Sequence, residues 1–134
     1  MKNKLITLVI FAFILFSFTE NNILSDYSGK WQSESANSSF ELNLIQTNEK
    51  VRGSHCSVQL NGNRIDCFFE DTDITIFGDA DNSDSIRVTF ISQISQKSGI
   101  AKIKRLNTTS IEWEILTKPQ GEFYLPNKII LTKQ

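Results

Sequence analysis

His55, Cys56 and Cys67 are the residues of this chain whose types lend themselves to nucleophilic or metal chemistry. A hydrolase built on His55 needs the imidazole as general base beside a serine or cysteine nucleophile, with a carboxylate to orient it. No nucleophile motif accompanies it, and the alternation of its segment puts it on the side away from the apolar residues, so an exposed surface histidine is expected. Two cysteines and one histidine also fall short of the four ligands of a structural zinc site. Carboxylates offer another chemistry, because glycosidases need two at a fixed separation. Glu70, Asp71 and Asp73 crowd one turn, and Asp79, Asp81 and Asp84 another. The second group alternates oxygen ligands as a calcium loop does, yet it lacks the central glycine, and Phe90 stands where the distal bidentate glutamate belongs. Asp, Asn and Ser are the common residues of turns, and turns are the expectation here. No catalytic residue, metal site or cofactor is assigned, and the chain is read as non-enzymatic.

The elements that position these residues are short strands. Runs of β-branched and aromatic residues separated by turn chemistry mark strands over 40–44, 52–60, 64–69, 74–78, 85–91, 100–106, 110–116 and 128–132, eight in all. Asn61-Gly62 between the second and third runs suits a type I′ hairpin turn. Counting back from it pairs Leu60 with Asn63, Val58 with Ile65 and Cys56 with Cys67, so the cysteines lie opposite each other as a disulfide. That register puts Cys56, Val58, Leu60, Ile65, Cys67 and Phe69 on one face, expected inward, and His55, Ser57, Gln59, Arg64 and Asp66 on the other. Further inward candidates are Ile86, Val88 and Phe90, Ala101 and Ile103, Ile111, Trp113 and Ile115, and Ile129 with Leu131. Eight short antiparallel strands close most economically as an up-and-down barrel, which removes exposed edges; a β-sandwich is the alternative.

Gly29 and Trp31 form a G-x-W start that resembles the first strand of lipocalins and avidin-like barrels. The resemblance implies a lipocalin-like barrel in which Trp31 plugs one end and Gly29 lets the chain turn tightly beneath it. Those lipocalins carry an arginine cap near the last strand, where this chain has Lys128 and Lys133. Gln32 and Ser33 occupy the place of the avidin ligand-binding asparagine, so biotin binding is not implied. The chain also resembles small exported bacterial proteins that combine G-x-W with an N-G-N-x-I-D-C hairpin, here 61–67, and a P-x-G-E-x-Y-x-P stretch, here 119–126. This second likeness implies no activity.

Compartment follows from the first 19 residues, a basic start followed by an apolar run over 5–18, which read as a secretory signal peptide cut after Thr19. The run is shorter than the roughly 20 residues of a spanning helix, so no stable membrane insertion is expected after cleavage. Residues 20–134 then make one domain, exported to the periplasm or medium, where a disulfide persists. Setting aside Lys2 and Lys4 from the 14 basic residues leaves 12 against 15 acidic ones, with no basic stripe for nucleic acid. Two functions suit such a chain. One is a binding protein that holds a small apolar ligand in the barrel or at its open end. The other is an inhibitor or immunity-type protein that blocks an envelope toxin or hydrolase. Phe123, Tyr124 and Leu125, held between Pro119 and Pro126, are the candidate recognition loop, and the same rings folded back would cap the barrel.

Overall fold

The computed structural model describes residues 26–68, 72–81 and 83–134. The signal segment with its cut after Thr19, together with Phe69, Glu70, Asp71 and Asn82, lies outside the described residues. Among the described residues nine strands form one antiparallel sheet: β1 (Gly29–Glu34), β2 (Ser39–Thr47), β3 (Lys50–Gln59), β4 (Arg64–Cys67), β5 (Ile76–Asp79), β6 (Ser85–Ile91), β7 (Ser98–Arg105), β8 (Ser110–Thr117) and β9 (Lys128–Lys133). Consecutive strands neighbour one another except β4 and β5, β1 pairs with β9, and eight strands close into a barrel. The strand left outside is β4. The N-terminal half of β3 bonds β5, from Lys50↔Asp79 to Gly53↔Ile76, whereas its C-terminal half bonds β4, from Cys56↔Cys67 to Gln59↔Arg64. The expected count of eight therefore holds for the barrel with a change of member. The 64–69 run is a side hairpin, and β1 takes its place in the wall.

Period-two alternation sends one side chain in two to the interior. Trp31, Phe40, Leu42, Leu44, Val51, Ile76, Ile86, Val88, Phe90, Ala101, Ile103, Ile111, Trp113 and Leu131 make one buried cluster. Phe40 and Phe90 pack edge-on against Trp113, with ring centroids 5.4 and 5.3 Å away. An eight-stranded barrel is just wide enough for its own side chains to fill, and here large ones do so. Where β3 divides between its two neighbours stands Gly53, and a Cβ there would come within 1.9 Å of the Asn43 carbonyl oxygen. Only glycine lets the two backbones approach so closely.

Two expectations about the β3–β4 hairpin meet different fates. The pairing is as counted, with Cys56 and Cys67 opposite each other and joined as a disulfide. The turn has positive φ at Leu60 (51°), Asn61 (54°) and Gly62 (89°), and Asn63 N–H donates to the Leu60 carbonyl at 3.1 Å. The facing differs: Cys67 is buried and Arg64 exposed as expected, but Leu60 and Ile65 are exposed, while His55, Ser57 and Asp66 are buried. The cause lies in β2, whose Phe40 and Leu42 face the core and pair with Ser57 and His55. Directly paired residues share a face, so the barrel register overrides the local polarity of the hairpin.

Candidate functional site

The barrel has two dissimilar ends. Where the chain enters, Trp31 is fully buried and its indole N–H donates to the Tyr27 carbonyl at 2.9 Å. The Lys133 ammonium lies 5.4 Å from the Trp31 ring centroid, and the Arg105 guanidinium 5.0 Å from that of Tyr27. Gly29 has φ 140°, and a Cβ on it would press to 2.6 Å from Lys133 Cε. Glycine at 29 thus admits the lysine that covers the tryptophan. Gly29, Trp31 and Lys133 together shut this end with cations over aromatic faces.

The opposite end, the mouth, holds the polar residues that β3 and β4 turn inward. Asp66 is fully buried, and its carboxylate accepts from four donors: Ser92 Oγ at 2.6 Å, Gln93 N at 2.8 Å, Tyr124 N at 3.2 Å and His55 Nε2 at 3.2 Å. Burial alone would raise its pKa, but these four bonds outweigh that and hold the carboxyl below its ordinary value. Because a carboxylate only accepts, Nε2 is the donor, and in the neutral ring Nδ1 takes the Thr75 hydroxyl at 2.8 Å. His55 is thus a core residue, 2% exposed, rather than the expected surface histidine.

Thr75, His55 and Asp66 stand in the hydroxyl–imidazole–carboxylate order of a nucleophilic triad. Their exposures are 1%, 2% and 0%, and the carboxylate also accepts from Ser92, Gln93 and Tyr124. The arrangement also fastens a loop. Tyr124 N–H is held by Asp66, and Tyr124 C=O accepts from Ser57 Oγ and Gln59 Nε2, each at 2.7 Å. Two residues on, Pro126 C=O accepts from the Trp113 indole at 2.9 Å.

Loop 118–127 consequently lies across the mouth. Leu125 is buried in the core cluster and Phe123 packs against it, which is the capping role. The Tyr124 ring remains half-exposed, with the Arg64 guanidinium 5.5 Å from its centroid and its hydroxyl donating to Glu122. Strand periodicity had no means of announcing Asp66, Ser57, Thr75 and Ser92 as a network. The available signal was the pairing of β3 with the apolar face of β2.

Among the described residues no group of three or more His, Cys, Asp or Glu side chains is placed to hold a metal. Asp79 pairs with Lys50 at 2.5 Å, and Asp81 accepts from Ser83 N at 2.8 Å as a turn residue does. Grooves on the surface include one of about 890 Å³ on the outer face of β2 and β3, and a cleft of about 300 Å³ at the mouth beside the β1–β2 turn. No described helix is long and apolar enough to cross a membrane. No family model, curated protein or solved structure matches the chain.

Proposed function

We propose that this chain is an exported, non-enzymatic binding protein that engages a partner protein at the mouth of its barrel, as an inhibitor or immunity-type protein blocks an envelope toxin or hydrolase. The observation that carries this reading is the fastening of loop 118–127. Both backbone groups of Tyr124 are bonded to buried or half-buried side chains, and its ring and Arg64 stay accessible. Such a loop is already in one conformation before contact, so little ordering entropy is lost on docking. Tyr and Arg are also the side chains that most often dominate interface energetics. The disulfide suits an oxidising compartment and supports export. Carriage of a small apolar ligand within the barrel is the less favoured reading, because the ligand would have to displace Trp31, Phe40, Phe90 and Trp113.

The test is affinity purification from the producing cell's envelope and medium with the wild-type protein and with Tyr124→Ala and Arg64→Ala. A stoichiometric partner whose affinity falls at least tenfold in each variant agrees with the proposal. A partner indifferent to both changes would move recognition off the cap.

A further inference from the structure

We infer that the gap between β1 and β9 at the mouth is a docking site for an extended segment of a partner polypeptide, independent of the Tyr124 surface. Hydrogen-bond phase carries the argument. Ser35 N bonds Ser38 O in the β1–β2 turn, and by alternation Ser33 and Trp31 bond toward β2. The backbone groups of Gln32 and Glu34 therefore point toward β9. On the other side, Ile115 N bonds Asn127 O and Lys133 N bonds Thr109 O, which turns Ile129 and Leu131 toward β8. Lys128, Ile130 and Thr132 are left pointing toward β1.

Gln134 N donates to Lys30 O at 2.9 Å, and Gln32 pairs with Thr132. The next pair in phase is Glu34 with Ile130, but the register ends at Gln32 and the strands part. Two strand edges thus face each other with their N–H and C=O groups turned into the gap. Ile130 is 54% exposed, its side chain standing on the outer face, and pairing to β1 is absent beside it: the last partners are Gln32 and Thr132.

The cleft of about 300 Å³ beside this gap says what side chain fits. Ser33, Ser39, Ser57 and Gln59 line it over Phe40 and Ile129, and no charged side chain is among its walls. A charged group would enter without a counter-ion, whereas a small neutral side chain meets hydroxyls and an apolar floor. An edge that offers main-chain bonds next to a pocket for one side chain is the arrangement by which sheets recognise extended peptides. The occupant is accordingly an extended segment that bonds Lys128 and Ile130 and places one small uncharged side chain in the cleft.

A random decapeptide library displayed on phage, panned against the purified protein, tests this, with the enriched peptides then measured by fluorescence anisotropy. Ile130→Pro removes the N–H that faces the gap while keeping every bond to β8, and Ser33→Trp fills the cleft. Enriched peptides are expected to carry small neutral residues at their centre and to lose about tenfold or more in affinity with each change, as the loss of one or two hydrogen bonds implies. Failure to enrich any peptide, or peptides that bind both variants like the wild type, would overturn the site. Peptides lost only with Tyr124→Ala would also overturn it while leaving the cap-loop proposal intact. Near-ultraviolet circular dichroism of each variant confirms the fold, and Ser33→Trp decides alone if Ile130→Pro does not fold.

Discussion

Asp66 is the residue on which the mouth depends. Replacing it with alanine leaves Ser92, Gln93 and Tyr124 donors without an acceptor, at about 1–3 kcal/mol for each buried group that finds no water. An overall loss on the order of 3 kcal/mol is expected in denaturant unfolding. The carboxyl's folded pKa lies below its unfolded value, so its contribution is complete above the ordinary carboxylate value of about 3.9 and is lost as pH falls through the lower folded value. The stability gap between wild type and Asp66→Asn should accordingly be widest near neutral pH and narrow only below about pH 4. A gap that stays constant down to pH 2 would contradict a charged hub. His55 shows why this was hard to read in the sequence: beside Cys56, Val58 and Leu60 it looks outward, and only its partner Leu42 on β2 assigns it to the core. Long-range pairing of this kind leaves no local trace.

Among the elements, the β3–β4 hairpin was the most legible. Asn61-Gly62 fixed the count that sets Cys56 against Cys67, because Asn-Gly tolerates the positive φ that a two-residue hairpin turn requires. Its orientation was not legible, since Val58, Leu60 and Ile65 suggest an apolar face that the barrel leaves outside. The disulfide closes a loop of sequence separation 11 and belongs to a strand whose ladder partner among the described residues is β3 alone. Reduction, or Cys56→Ser with Cys67→Ser, is expected to cost roughly 2–3 kcal/mol in unfolding free energy. Because Asp66 rides on β4, the same change should speed hydrogen exchange at the Tyr124 and Gln93 amides before it affects β6 to β8. Uniform exchange across the barrel would sever the hairpin from the cap. Loop 118–127 was legible as an aromatic segment between prolines, and the structure buries Leu125 in the core while leaving Tyr124 facing out.

At the scale of the whole molecule, alternation and strand count sufficed for an antiparallel barrel, and the inward residues of β6 to β9 were read correctly from period two. The exchange of β1 for β4 in the wall was not, because both runs have strand composition and only closure chooses between them. Closure also makes Gly53 critical. Gly53→Ala would drive a methyl group into the Asn43 carbonyl, and a loss of at least 2 kcal/mol, or failure to fold, is expected by thermal unfolding. The proposed recognition at the surface rests on a filled interior and a pinned mouth, and it is the claim most open to a direct test. Native mass spectra of the protein isolated from its own envelope or medium, recorded before and after denaturation, decide it. A stoichiometric protein partner and no small molecule released on unfolding are expected. A bound species of a few hundred daltons, lost only when the barrel unfolds, would contradict it.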